Sequence, residues 1–294
     1  MRKLVAFGVA LSLVGLVWAF PVTVADDRGM EITIAQRPER IVVLLPLYAE
    51  ILMDLGAEGM IVGLADSPDN PPELSGLPSV GPSFSPSLEA IVALEPDLVL
   101  GAWGDIRDKL EELGITVLTV GGPGGYIRGI VDIFDAIRTV GVAAGLGERA
   151  AALTGTIAEE IVRIEARVLG LPKLRVAFIY MSAPDTAPWA AGRDTPENEL
   201  ILRAGGENAF ADLVGFPQAS LEELVTRDPE VILTDPSQVG NILESRLLQG
   251  ISAVRDGRVY GIKASAAIST RVAEVLQKLA ELLHPEAFRE GGGE

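Results

Sequence analysis

The sequence predicts an α/β protein with two similar lobes, each built on a mainly parallel sheet, joined by one long backbone helix. Three observations lead to this prediction. Short apolar runs alternate with helical segments, one helical segment carries a single apolar stripe, and a run of fourteen residues recurs in the second half of the chain.

Seven short apolar runs are the predicted strands. Their apolar character is nearly continuous, which is typical of parallel strands that are covered on both faces. Helical segments separate them, as in other α/β proteins. The runs are 40–45, 60–64, 97–100, 115–120, 174–181, 230–234 and 258–262.

One helical segment, 148–168, is about 30 Å long at 1.5 Å per residue. Its charged residues lie away from a single apolar stripe. Pro172 stops it before the next strand. We therefore predict an N-terminal lobe over 37–145, a connecting helix over 146–170 and a C-terminal lobe over 174–288. The stripe consists of Leu153, Ile157, Ile161, Ile164 and Val168.

A repeated run relates the two halves of the chain. Residues 87–100 align without a gap on residues 220–233, and 50–57 align more weakly on 199–206. Each half therefore contains a helix, a proline break and a buried strand. Two such lobes on a rigid helix form a cleft. Ligands of such sheets bind beyond the carboxyl ends of the strands, so we expect the binding site there.

The composition excludes several classes of site. The 294 residues include no cysteine and one histidine, and the formal net charge is −17. Without cysteine there are no disulfides, thiol nucleophiles, iron–sulfur clusters or zinc ribbons, and one histidine excludes multi-histidine metal sites. The acidity argues against a nucleic-acid partner, which requires a basic surface.

The first residues resemble an export signal. Arg2 and Lys3 precede the apolar run 4–17, and Val17 and Ala19 occupy the −3 and −1 positions of a cleavage site. The apolar run is shorter than the roughly 20 residues of a spanning helix. No cysteine follows it. We expect a signal peptide over 1–19 and a periplasmic or secreted mature protein without a lipid anchor.

Glu89 and Glu222 occupy equivalent places in the two halves. Ser87 and Ser220 are predicted N-caps, which places each glutamate in the first turn of a helix. A glutamate there either complements the helix dipole or, as one of a matched pair, binds a basic group of a partner. The spacing alone leaves both interpretations open.

Aromatic residues are few, yet several follow predicted strands. Tyr48, Trp103, Tyr126 and Trp189 do so, and Arg193 lies close to the last of them. Flat rings suit a cleft that holds a large chelate or macrocycle, although each ring could instead cap the core. Arg193 could anchor an anionic ligand group or pair with a nearby acid.

The sequence matches catalytic motifs only weakly. The glycine-rich segment 121–125 lies between a strand and a helix, but it matches neither the dinucleotide fingerprint nor a P-loop. We interpret it as a flexible loop at the cleft rim. The chain has no G-x-S-x-G elbow, and its one histidine, His284, ends the last helix. We therefore expect a binding protein rather than an enzyme.

Six segments together resemble the iron-complex and cobalamin solute-binding proteins of ABC importers, in the order and spacing of that family between Arg37 and Phe288. The resemblance implies Rossmann-like lobes on a helical backbone, with limited closure around the ligand. It also implies that Glu89 and Glu222 dock on arginines of the membrane permease. The segments are 40–56, 61–66, 71–73, 87–100, 202–208 and 254–260.

The resemblance further implies a periplasmic receptor that captures a metal chelate and delivers it to the permease. Members of the family carry ferric siderophores, corrinoids, haem or oxyanions such as molybdate. Among these we expect a ferric siderophore or a corrinoid, bound by Tyr48, Trp103, Tyr126, Trp189 and Arg193. With one histidine and no cysteine, the metal should arrive already chelated, so we expect no cofactor of the protein itself. We expect a monomer.

Two alternatives belong to other classes. An exported enzyme on the same scaffold would use the glycine-rich loop for a phosphorylated substrate, and turnover by the purified protein would favour it. A cell-surface adhesion or sensor module would use the cleft for signalling, and co-purification with a permease would argue against it.

Overall fold

The computed structural model describes residues 20–289. The predicted signal peptide, 1–19, lies outside these residues. Within 20–289, every helix is too short or too polar to cross a bilayer.

An antiparallel hairpin precedes the predicted start of the N-terminal lobe. Its strands are β1 (Val22–Ala25) and β2 (Glu31–Ile34). At its turn, the backbone N of Asp27 donates to the carbonyl O of Thr119 at 2.8 Å. The Asp27 carboxylate also pairs with Arg107 at 2.7 Å, and both side chains are nearly buried. The hairpin was not predicted, and it is fastened to the N-terminal lobe.

The N-terminal lobe contains a parallel five-stranded sheet. Its strands are β3 (Ile41–Val43), β4 (Ile61–Asp66), β5 (Ser79–Pro82), β6 (Leu98–Leu100) and β7 (Thr116–Leu118). They are arranged in the order β5-β4-β3-β6-β7. The helices around the sheet are α1 (Pro46–Asp54), α2 (Leu88–Ala93), α3 (Gly104–Glu112) and α4 (Ile130–Ala143). Strands β3 and β6 are wholly buried, as their apolar sequences predict.

The long helix is α5 (Gly147–Val168). Its predicted stripe is buried along one face, with only Leu153 partly exposed. The stripe packs against α4 on one side and against a helix of the second lobe, α11 (Val272–Leu283), on the other. One hydrophobic core therefore runs through both lobes, and each lobe has a second, smaller core of its own.

The C-terminal lobe repeats this design. Its strands are β8 (Arg175–Tyr180), β9 (Trp189–Ala190), β10 (Glu207–Asn208), β11 (Val231–Thr234) and β12 (Val259–Gly261). Four of them form a parallel sheet in the order β10-β8-β11-β12, and β9 adds an antiparallel edge to β8. The remaining helices are α6 (Pro196–Arg203), α7 (Leu221–Arg227), α8 (Val239–Glu244), α9 (Ser252–Arg255), α10 (Ala264–Ala267) and α12 (Pro285–Phe288).

The predicted two-lobed α/β fold is confirmed. All seven predicted runs contain a strand, and the predicted long helix is present. Strands β1, β2, β5, β9 and β10 were missed. None of these has three apolar residues in a row, so they lack the continuous apolar run by which the other strands were found.

A polar contact also joins the lobes. Glu199 of α6 accepts a hydrogen bond from the backbone N of Ile130, the first residue of α4, at 2.9 Å. A carboxylate at this position satisfies a free N–H of the helix and complements its dipole. Arg203 holds Glu199 in place and also pairs with Glu165 of α5.

Two glycines of the α4–α5 region provide a matched test of the shared core. A Cβ on Gly141 would overlap the Cβ of Ala150, whereas Gly155 has open space around it. Gly141→Ala should therefore lower the free energy of unfolding by ~1–3 kcal/mol through overpacking. Gly155→Ala should raise it by up to ~1 kcal/mol, because glycine is a poor helix former. Urea unfolding of both variants measures the difference, and equal effects would contradict the close packing of these helices.

Candidate functional site

A cleft lies between the lobes at the carboxyl ends of the strands. It contains a cavity of ≈ 370 Å³. Its apolar lining comes mainly from the loops that follow β3, β5, β6 and β7, while α10 and the residues after it line the opposite side. The main apolar residues are Leu45, Pro46, Leu47, Phe84, Trp103, Tyr126, Ile127 and Ile268.

Three aromatic rings form one wall of this cleft. Phe84, Trp103 and Tyr126 line the cavity and also a neighbouring cavity of ≈ 390 Å³. Phe84 is 91% exposed and Tyr126 is 75% exposed, so both offer their ring faces to a ligand. Trp103 is partly buried, and its Nε1–H has no partner among the described residues. The structure thus brings together three of the predicted binding residues at this cavity: Trp103 and Tyr126 in the wall, and Tyr48 beneath it.

Phe84 is a residue of the cavity lining that the sequence analysis missed. It follows β5, a strand that was not predicted, and it lies between Pro82 and Pro86 just before the repeated run. The sequence offered one signal for this residue: an aromatic side chain lies between two prolines and next to a predicted helix cap. Such a segment resists regular structure and leaves its ring exposed.

Tyr48 also lies at the ≈ 370 Å³ cavity. Its side chain has no exposed surface. The hydroxyl donates to the carbonyl O of Val120 at 2.8 Å and accepts from the backbone N of Val120 at 2.9 Å. Burial raises its pKa. Tyr48 therefore supports the floor of the cleft from within the core and does not face a ligand.

Trp189 and Arg193 lie outside this cavity. Trp189 pairs with Tyr180 at the carboxyl end of β8, and its side chain is half exposed. Arg193 is exposed, and its backbone is hydrogen-bonded to Leu213 and Gly215. Within 20–289 its guanidinium forms no ion pair. Both residues stand on the C-terminal lobe, apart from the aromatic wall.

Two ion pairs cross between the lobes beside the cavity. Lys263 binds Asp69 at 2.9 Å, and Arg271 binds Glu50 at 2.5 Å. Glu50 is mostly buried, and this burial raises its pKa, while hydrogen bonds from Ser269 and Arg271 oppose the shift. These charges neutralise one another, so the surface left for a ligand is chiefly apolar and aromatic.

Helices α2 and α7 present Glu89 and Glu222. As predicted, Ser87 and Ser220 are N-caps: each Oγ accepts from the backbone N three residues later, at 3.2 Å and 3.0 Å. Both glutamates are exposed. The pKa of Glu89 is lowered by its own backbone N–H and by the Ser87 hydroxyl, which favours the charged form.

A matched pair of arginine contacts fixes these helices to their sheets. Arg40, just before β3, donates to the carbonyl oxygens of Leu94 and Glu95 at the end of α2. Arg175, the first residue of β8, donates to the carbonyl O of Asp228 at the end of α7, at 2.9 Å. We call these contacts the arginine clamps.

An acidic side chain completes each clamp. The Asp97 carboxylate accepts from the backbone N of Arg40 at 3.2 Å, and the Glu230 carboxylate accepts from the backbone N of Arg175 at 2.9 Å. In each lobe, the helix is therefore joined to the start of an interior strand, whose other end points to the cleft.

Residues 41–266 match the model of a family described as periplasmic binding protein. The chain belongs to this family. An uncharacterised ABC transporter substrate-binding lipoprotein of Bacillus subtilis is 30% identical over 92% of this chain and 88% of its own length. A cobalamin-binding protein of Halobacterium salinarum is 30% identical over 90% of this chain and 75% of its own length. The resemblance drawn from the sequence is thereby confirmed.

Solved structures of the same fold also match. An ABC-type Fe3+-hydroxamate transport protein of Saccharomonospora viridis has a TM-score of 0.75 at 25% identity, covering 92% of this chain and 100% of that one. The periplasmic heme-binding protein RhuT of a Roseiflexus species has a TM-score of 0.74 at 25% identity, covering 85% of this chain and 99% of that one.

One buried carboxyl lies in the C-terminal lobe outside the cleft lining. Glu197 of α6 is almost fully buried, and Tyr180 donates to its Oε1 at 2.7 Å. Its Oε2 has no partner among the described residues. Burial raises the pKa of Glu197 above its ordinary value of 4.5. The folded protein therefore keeps a proton that the unfolded chain releases.

This proton makes stability depend on pH. As pH rises from the unfolded pKa of about 4.5 through the raised folded pKa, stability falls, because the folded state binds more protons. Glu197→Gln keeps an oxygen that accepts the hydrogen bond from Tyr180. Because glutamine does not titrate, the variant does not lose stability in this way as pH rises. We expect the variant to gain stability over the native protein as pH increases, measured by urea unfolding at several pH values. Glu159→Gln, at an exposed position of α5, controls for the lost charge. The same pH profile in both variants would contradict the assignment.

Proposed function

We propose that the protein is the receptor of an ABC importer, which captures a pre-formed metal chelate in the inter-lobe cleft and delivers it to the membrane permease. The aromatic wall of Phe84, Trp103 and Tyr126 is the observation that carries this proposal. Two further features support it: the charges beside the cavity are paired within the protein, and the relatives are named as binding and transport proteins.

The side chains favour a chelated metal over a bare ion. Within 20–289, no group of three or more His, Asp or Glu residues is placed to hold a metal. His284 lies away from the cleft lining, and its Nε2 is 3.1 Å from the carbonyl O of Gly205. A metal bound in this cleft would therefore bring its own ligands, and the protein would contribute ring faces and a few polar groups.

Among chelates, we propose a corrinoid first. A flat macrocycle offers the apolar area that exposed aromatic rings bind well. Relatives at 30% identity are named as cobalamin-binding and vitamin B12-binding proteins. A ferric siderophore is the second candidate, because the structure named for Fe3+-hydroxamate transport matches along nearly the whole chain.

We further propose that Glu89 and Glu222 bind basic groups of the permease. One carboxylate on each lobe suits a partner that contacts both lobes at once, and both helices are held by the arginine clamps. The net charge of −17 favours approach to a basic surface. We propose a periplasmic monomer that is exported through its signal peptide.

Ligand titrations test the cleft. The purified protein should bind cyanocobalamin, or failing that ferrichrome, with a change in absorbance and tryptophan fluorescence. Phe84→Ala and Trp103→Ala should each weaken binding at least about tenfold, because each removes a stacked ring. Trp189→Ala removes the same kind of side chain outside the cavity, so we expect a smaller loss. Binding of molybdate alone, or turnover of a phosphorylated substrate, would contradict the proposal.

Docking is tested separately with a charge-matched control. The double variant Glu89→Gln/Glu222→Gln should bind ligand normally and lose transport, because only the contacts with the permease are removed. Glu112→Gln/Glu244→Gln removes two exposed charges, one from each lobe, on α3 and α8, and should transport normally. Uptake is measured with labelled cyanocobalamin. Normal uptake by the first variant would reject docking through these carboxylates.

A further inference from the structure

We propose that Val92 and Val225 are the apolar half of the docking surface. Each lobe would then present a carboxylate and a valine side by side on one helix, at two points of contact with the permease. This inference rests on the proposed docking function of Glu89 and Glu222, and it adds to it the apolar surface that the permease must provide at each point.

The repeated run is the first observation. Six of its fourteen positions carry the same residue in both halves. Four of these six have a role inside the lobe. The serine caps the helix, while two leucines and the proline are buried or pack against the core. The two remaining positions are occupied by Glu89 and Val92 in the first half and by Glu222 and Val225 in the second.

The exposure of the valines is the second observation. Val92 is 39% exposed and Val225 is 42% exposed, so the two equivalent side chains reach solvent to the same degree. Their immediate neighbours Ile91 and Leu224 are fully buried and form the contact with the core. Neither valine belongs to the hydrophobic core of its lobe, so the fold constrains their identity less than that of Ile91 and Leu224.

The spacing places each valine beside its glutamate. Residues three apart on a helix are neighbours on its surface, with Cβ atoms about 5–6 Å apart. The arginine clamps hold both helices against their sheets, so each pair is presented in a fixed orientation. Two independent helices thus expose the same pair of chemical groups.

The energetics explain why a valine is useful there. An exposed ion pair contributes only ~0–1 kcal/mol, because water screens it and two side chains lose mobility. An apolar contact next to the pair removes water from around it, which strengthens the electrostatic attraction and adds buried apolar area. The partner surface that fits is a basic side chain next to an apolar one, present twice.

The experiment measures how tightly the protein binds to a permease reconstituted in nanodiscs. The permease is one that binds the wild-type protein. Binding is measured first without ligand and then with cyanocobalamin. Val92→Thr/Val225→Thr keeps the shape of both side chains and makes them polar. We expect binding to weaken at least about tenfold, with ligand affinity unchanged. Val131→Thr/Val162→Thr is the matched control: both valines are more exposed, 64% and 62%, but lie on α4 and α5, and binding should stay normal.

The glutamate variant distinguishes this inference from the function on which it rests. If Glu89→Gln/Glu222→Gln loses binding while the valine variant binds normally, the valine proposal is overturned and carboxylate docking stands. If neither variant loses binding, both are overturned. Equal weakening by the control variant would also overturn the inference, because it would show a general effect of exposed valines. Circular dichroism and ligand titration verify folding, and Val92→Ala/Val225→Ala serves as a second variant should the threonines perturb the helices.

Discussion

The packing of one helix face sets the arrangement of the whole molecule. The buried stripe of α5 contacts α4 in one lobe and α11 in the other, so the largest hydrophobic core is shared by the two lobes. Burial of apolar area is the dominant favourable term in folding, and here much of it depends on a contact that neither lobe could make alone. Gly141 allows α4 to approach Ala150 closely. The position of the cleft follows, because it lies where the lobes face each other beside this helix.

Polar contacts join the lobes in addition to the shared hydrophobic core. Glu199 completes the first turn of α4, and the pairs Lys263–Asp69 and Arg271–Glu50 cross beside the cavity. Glu50 and Asp69, the charged residues of the ≈ 370 Å³ cavity, each have an opposite charge within the protein. A ligand that relied on charge alone would have to break these pairs, whereas an apolar macrocycle need not. The charged groups at this cavity thus hold the lobes together, and the rest of its lining is chiefly apolar.

The sequence predicted the fold better than the site. Buried parallel strands and a striped helix leave patterns that extend over several residues, so the seven strands and α5 were found. Whether a residue belongs to the site depends on the direction in which its one side chain points. Tyr48 and Trp103 both follow strands, yet Tyr48 turns inward to bind Val120, a residue 72 positions away. No local pattern reports such a contact. Phe84 was missed because β5 has no continuous apolar run and was not predicted.

The arginine clamps have a consequence for how specificity evolves and how it could be engineered. They tie the C-terminal ends of α2 and α7 to the beginnings of the strands, so the first turns of these helices, with Glu89 and Glu222, lie toward the strand ends where the cleft is built. Under the proposed docking, contact with the cargo and contact with the permease therefore lie on the same side of each sheet. Phe84 lies three residues before the Ser87 cap of α2, whereas Tyr126 lies on a separate loop. A receptor given a new cargo through the Tyr126 loop would keep both docking helices unchanged.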